Sequence, residues 1–362
     1  MASDRSANAS GLVRSGYVPV MIYAPIVLAQ ARGYYADAGV EVELRAMPTG
    51  RDIVPNLVSG RFDIAAGGPG PDFWQALRDG HDIRLIAPLH AERPPATTPL
   101  IARADLFDSG EVASVEDLRG RPVSSPSPGV PLFWLHSALE RGGLTLDDVD
   151  LRFVPYDQVG AAFQRREIDA ALLGEPLVTD LIDRGIAARL ESDFVDGLQP
   201  TYLYTLAETL ETRRDEITRF VSAYLRACAD LQSGNLDLGW SAASTMDVIS
   251  HFTDVPGVEV AESMHPIYEP EGRFRRGSIA RIYDFFVARG DVEPIDGFDP
   301  DSLIDESIVE ALRDGSHPPT SSPNPGREGA RGESQHERGS SDASIGQPSP
   351  RIGREEGGEG RP

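Results

Sequence analysis

The residues of this chain that could do chemistry cluster at a few turns. "DIAAGGPGPDFW", Asp63 to Trp74, runs a short apolar segment into Gly67-Gly68-Pro69-Gly70-Pro71 and straight on into "PDFWQALRDG". Glycine and proline at that density neither continue a strand nor sit in a helix interior, so a compact turn joins two regular elements. It lacks the lysine of a P-loop and the spacing of a dinucleotide fingerprint, so it is not a phosphate cradle. Gly68, Pro69 and Gly70 are instead candidate ligand-facing residues, the glycines admitting close backbone approach and the prolines stiffening the wall. Asp72 is expected to cap the following helix, and Phe73 and Trp74 to anchor it or face the ligand.

A second turn, "SSPSPG" (Ser124 to Gly129), lies between strand-like and helix-like segments. Hydroxyls and free N–H groups at a helix start can hold an anion, which makes Ser125 and Ser127 candidates; each serves equally as a simple cap. The loop after "GLVRSG" carries Tyr17, Pro19, Met21 and Tyr23, apolar groups with polar tips suited to a flat or partly apolar ligand. Core packing is the competing role, an even one for Met21. His90, after "RLIAPL", reads as a cleft hydrogen-bonder or a satisfied structural histidine. Tyr156 points to the same region, beside Asp157 as the expected N-cap of the next helix.

Composition narrows the chemistry. The formal net charge is −23, with 57 Asp+Glu against 34 Lys+Arg, and it offers no electrostatic footprint for nucleic acid or anionic lipid. The chain contains no lysine, so Schiff-base catalysis is excluded. A GC-rich genome and adaptation to high salt both account for that bias. The single cysteine, Cys228, sits in the helix-like "FVSAYLRACADLQ" and reads as a small buried apolar group; no disulfide and no cysteine metal site can form. No HExxH or CxxC is present, and neither a metal nor a cofactor is expected.

These turns need elements to position them. "GVEVELRAM", "FDIAAG" and "DIRLIAPLH" read as strands, alternating with helices at "RDIVPNLVSGR" and "PDFWQALRDG". The same grammar repeats in "RPVSSPS", "GVPLFWLHSALERGG", "DLRFVPY", "QVGAAFQRRE" and "IDAALLG", and a helix-rich segment follows from Thr212 to Arg289. The alternation predicts an α/β protein of mainly parallel sheet, in two halves whose strand ends face one ligand cleft. Val18 to Ala31 has the apolar look of an export signal, but "RGYYADAGVEVEL" continues it as fold, so no signal peptide is read there. No run reaches the roughly 20 apolar residues of a membrane span. From Gly315 onward the composition is that of a disordered tail.

"APIVLAQARGYYADAGVEVELRAMPTGRDIVPNLVSGRFDIAAG", followed by "SVEDLRGRPVSSPSPG", "LERGGLTLDDVDLRFVPY" and "AAFQRREIDAALLGEP", resembles ABC-transporter solute-binding proteins of the nitrate/sulfonate/taurine and thiamine-precursor type. The resemblance covers about Leu12 to Leu312. It implies a bilobed, type II periplasmic-binding-protein fold. A flexible N-terminus would span 1–11, lobe one 12–103, lobe two 104–198, the completion of lobe one 199–312, and a disordered tail 313–362. It also implies that Thr49 and Gly50 form a ligand-facing turn, and that Glu175, before Pro176, lines the cleft or hinge.

The function implied is capture of a small organic or oxyanion ligand between the lobes, by an extracytoplasmic monomer that serves an ABC permease and ATPase and catalyses nothing itself. Enzymes of similar fold set the alternative. Fungal pyrimidine synthases carry a lysine and a histidine just after the strand that here reads "FDIAA", where this chain has Gly67 and Pro71. Aromatic desulfinases carry a nucleophilic cysteine in the first loop, near Tyr17 here. Neither activity is expected; a decarboxylase-like enzyme or a ligand sensor on the same fold is the competing reading.

Overall fold

The computed structural model describes residues 11–316. The expected flexible N-terminus and disordered tail fall almost wholly on 1–10 and 317–362, outside the described residues.

Among the described residues ten strands form two five-stranded sheets. The first contains β1 (Leu12–Tyr17), β2 (Glu41–Ala46), β3 (Ile64–Gly67), β4 (Ile83–Glu92) and β10 (Leu198–Leu206), in the order β2-β1-β3-β10-β4. The second contains β5 (Leu100–Arg103), β6 (Pro122–Ser125), β7 (Asp150–Phe153), β8 (Ala170–Leu172) and β9 (Ala187–Glu191), in the order β7-β6-β8-β5-β9. Each sheet centres one lobe of an α/β, bilobed periplasmic-binding-protein fold.

The sequence dictates much of this locally. β3 is wholly buried, Ile64 being followed by Ala65, Ala66 and Gly67, small residues that let helices press on both faces. β2 alternates exposed Glu41, Glu43 and Arg45 with half-buried Val42 and Leu44, the pattern of a sheet edge kept soluble by charge. Gly16 in β1 is required by packing, since a β-carbon there would lie 2.3 Å from the Phe62 ring. The helix Arg214–Gln232 buries Ile217, Phe220, Val221, Tyr224, Cys228 and Leu231 along one stripe, packed on the helix Ala24–Ala31.

The expectation of mainly parallel sheet needs correction. β1–β2, β1–β3, β6–β7 and β6–β8 are parallel, but β10 runs antiparallel to β3 and β4, and β5 antiparallel to β8 and β9. β5 and β10 are the strands that enter a sheet after the chain has crossed from the other lobe, and a direct crossing without a helix delivers them reversed. They went unrecognised, as did β9. β5 also belongs to the second sheet, so the change of lobe precedes Leu100 instead of following Arg103.

The two crossings are hydrogen-bonded to each other. Ala96 N–H donates to Ser192 O at 2.8 Å and Gly197 N–H to Glu92 O at 2.8 Å. Glu175 ties in as well, its N–H donating to Thr97 O at 2.9 Å while its own carbonyl accepts from Met21 N–H at 3.0 Å.

Candidate functional site

Between the lobes lies a cleft of about 120 Å³, and its walls are the loops at the carboxyl ends of the parallel strands. After β1 come Val18, Val20, Ile22 and Tyr23; after β2, Thr49, Gly50 and Arg51; after β3, Gly68, Gly70 and Pro71, with Asp72 and Phe73 of the helix Pro71–Arg78. The second lobe contributes Pro126 to Gly129 after β6, Val130, Pro131 and Trp134 of the helix Val130–Glu140, and Tyr156 after β7. Thr201 of β10 completes the lining.

The loops of the two lobes meet closely. A β-carbon on Gly68 would lie 2.4 Å from Val130 Cγ2, and one on Gly70 would lie 3.1 Å from Gly129 Cα. The glycines of the "GGPGP" turn therefore serve interlobe approach, and the volume is small beside the roughly 300–1,000 Å³ of drug-sized sites. A small molecule fits.

Of the residues nominated from sequence, Tyr23, Thr49, Gly50, Gly68, Gly70, Ser127 and Tyr156 line the cleft. Tyr17, Pro19, Met21, Pro69, His90, Ser125 and Glu175 do not. The first loop shows why: Val18, Val20 and Ile22 face the cleft, and the nominated Tyr17, Pro19 and Met21 alternate with them. The loop bends here, Val20 N–H donating to Val18 O at 2.8 Å, and the bend turns Val18, Val20 and Ile22 to the cleft while their neighbours pack elsewhere. Tyr17 packs edge-on against Phe252, 6.1 Å between ring centroids, and Met21 is fully buried, its carbonyl accepting from Tyr268 Oη at 2.9 Å. Tyr23 returns to the cleft because a short 3₁₀ turn, Met21–Tyr23, breaks the alternation.

Pro69 is buried behind the turn, and Ser125 locks its own, donating to Ser127 O at 3.0 Å. Glu175 points away from the cleft, its carboxylate accepting from Thr179 N–H at 3.1 Å, Thr179 Oγ1 at 3.0 Å and Arg189 Nη2 at 2.8 Å. Neither Asp72 nor Asp157 caps a helix by its side chain; the N-caps there are Gly70 and Gln158. Phe73 lines the cleft while Trp74 is wholly buried against Tyr283.

His90 sits directly behind the lining. It is fully buried, and its Nδ1 lies 2.7 Å from the hydroxyl of Thr201, its cross-strand neighbour on β10. Its Nε2 lies 3.2 Å from Glu92 Oε1, and the same carboxylate accepts from Thr97 Oγ1 at 3.0 Å and Thr97 N–H at 3.3 Å. A buried chain thus runs from the cleft floor to the first crossing segment. Thr201 and Trp134 were missed because β10 was not recognised and because a tryptophan inside a helix carries the same signal as core.

The charged groups stand at the rim. Arg51 and Asp72 are exposed and lie on neighbouring elements. Partial burial raises the Asp72 pKa, Arg51 opposes that shift, and Asp52 adds to it. Burial also pushes up the phenols of Tyr23 and Tyr156, each facing the cleft from a different lobe. They are protonated at neutral pH. Among the described residues no group of three or more His, Cys, Asp or Glu side chains is arranged to hold a metal ion, and no helix is long and apolar enough to cross a membrane.

The chain is similar to proteins already known. The "Bicarbonate transport ATP-binding protein CmpC" of Synechococcus elongatus is 29% identical over 192 residues, 49% of this chain but only 28% of that protein. The "Riboflavin-binding protein RibY" of Chloroflexus aurantiacus is 27% identical over 223 residues, 59% of this chain and 60% of its own length. The matched part of the chain thus spans less than two thirds of either relative. In structure, the alkanesulfonate-binding protein SsuA of Xanthomonas axonopodis pv. citri, bound to MOPS, superposes with a TM-score of 0.66 at 16% identity, covering 83% of this chain and all of that one, which shows the shared fold. The sequence model of the NMT1-like family matches residues 8–237, well over half of the chain, and the protein belongs to that family.

Proposed function

We propose that the protein is the solute-binding component of an ABC importer, capturing a small organic or oxyanion ligand between its lobes and presenting it to a permease and ATPase. The single observation that carries this is the cleft's construction: both lobes supply its walls, at the carboxyl ends of their parallel strands, while the lobes are joined by two hydrogen-bonded crossings. Such a joint permits hinge closure around a ligand. Lobe one comprises β1 to β4, β10 and the C-terminal helices; lobe two comprises β5 to β9. The names of the relatives, bicarbonate transport, riboflavin binding and alkanesulfonate binding, support a transported small molecule.

The protein acts by binding and not by reaction. Cys228, the only thiol, is fully buried in the core, and desolvation pushes its pKa well up, so it supplies no thiolate.

A thermal-shift screen over alkanesulfonates, taurine, nitrate, bicarbonate, pyrimidines and riboflavin tests the proposal. One selective hit that raises the melting temperature with ligand concentration supports capture. A flat response across the panel, or turnover of the hit into product, overturns it.

A further inference from the structure

Resting on the capture reading above, we infer that Phe285 is a positioning residue outside the cleft: seated on Phe133 and His136 of the other lobe, it latches the lobes toward closure before a ligand arrives.

The helix Val130–Glu140 of lobe two has two working faces. Val130, Pro131 and Trp134 line the cleft, while Phe133 and His136, one turn apart, line a separate groove of about 640 Å³. The opposite wall of that groove belongs to lobe one, being the helix Ser278–Arg289. Its Phe285 ring stands edge-on to Phe133, 5.4 Å between centroids, and 5.0 Å from the His136 ring. Phe133 and Phe285 are 6% and 9% exposed, so a hinge motion that parts them returns both rings to water.

Each side of this contact is fastened to a wall of the cleft. On lobe one, Tyr283 of the same helix packs on Trp74, 4.8 Å between centroids, and Trp74 packs on Phe73 of the cleft lining at 5.1 Å. On lobe two, Phe133 directly precedes Trp134 of the cleft lining. Aromatic rings thus lead from one wall toward the other, and at Phe285 they cross between lobes. The ion pairs beside the crossing stay within a lobe, His136 with Glu140 at 3.5 Å and Arg289 with Asp291 at 2.8 Å, so they do not tie the lobes. Holding the lobes near closure lowers the cost that a ligand meets in closing them, which is how a residue that never touches the ligand raises its affinity.

The test needs no ligand. Spin labels on Asp52→Cys and Asp157→Cys, exposed positions next to the cleft residues Arg51 and Tyr156, report the interlobe distance in the full chain by electron–electron double resonance. Cys228 is wholly buried and takes no label. Relative to the labelled parent, Phe285→Ala should shift the ratio of long to short distances about three- to tenfold toward long, the strength of one aromatic pair. Phe285→Tyr keeps the ring and should match the parent. His136→Ala, at a partly exposed position, should shift the ratio the same way by less. Phe133→Ala added to Phe285→Ala should add little, since both remove one contact. Circular dichroism and a cooperative melt confirm that each variant is folded; should Phe285→Ala fail to fold, His136→Ala decides alone. Parental distances in the folded variant that decides, or a shift in Phe285→Tyr as large as in Phe285→Ala, overturn the latch. Either result leaves the capture reading standing, because the ligand screen tests that reading separately.

Discussion

A β-carbon placed on Gly70 would stand 3.1 Å from the Cα of Gly129, so the glycine turns of the two lobes meet backbone against backbone. The fit is tighter still beside it, where a β-carbon on Gly68 would lie 2.4 Å from Val130 Cγ2. A side chain at either position acts as a wedge between lobes. Gly70→Val is expected to hold the cleft open and to weaken ligand binding by at least about tenfold, roughly 1.4 kcal/mol. Small-angle scattering should show the variant no more compact with ligand than without it. An unchanged affinity would mean that the turns do not gate closure.

Glu175 stabilises the joint and not the ligand. Its buried carboxylate holds Arg189 and Thr179, and its backbone bridges Thr97 and Met21. Glu175→Ala leaves the Arg189 charge and the Thr179 N–H without this partner, and should cost about 2–4 kcal/mol in urea denaturation. Intrinsic ligand affinity of the folded fraction should change little. A large affinity loss at unchanged stability would return Glu175 to the cleft.

Asp72 gives a pH dependence whose sign is opposite to that of a salt-bridged carboxylate. Its folded pKa is raised, chiefly by partial burial, so the folded state binds more protons than the unfolded one just above the ordinary carboxylate pKa. Its contribution to stability is therefore present at low pH and lost as pH rises from about 4 through the raised value. Asp72→Asn should flatten the stability profile on that acidic limb and leave the protein slightly more stable at neutral pH. A variant whose profile matches the parent's would remove Asp72 from the account.

Trp134 reports on the cleft. Of the three tryptophans it alone lines the site, and its indole N–H has no hydrogen-bond partner among the described residues. Ligand binding should change the intrinsic fluorescence of the parent, and Trp134→Phe should abolish most of that change while binding persists by calorimetry. Retention of the full signal in Trp134→Phe would place the ligand elsewhere.

The α/β alternation, the strands β1 to β4 and β6 to β8, and the helix Arg214–Gln232 were legible from hydrophobic period and turn residues, because those signals are local. So were the turns at Gly68 and Gly70 and at Ser127, since loops at strand ends carry distinctive glycine, proline and serine, whereas the turn at Thr49 and Gly50 came from the family resemblance. By itself the sequence determined that lysine chemistry, disulfides and cysteine-based metal sites are absent, and its spaced motifs pointed to the family. Only the tertiary structure decided which residues of Val18 to Tyr23 line the cleft, since the loop bends and then enters a 3₁₀ turn, and what packs on each side selects them. It also decided that β10 returns antiparallel from the other lobe, which sets Thr201 against His90, residues 111 positions apart in the chain. No local pattern encodes that pairing, because it comes into being only when the chain crosses between lobes a second time.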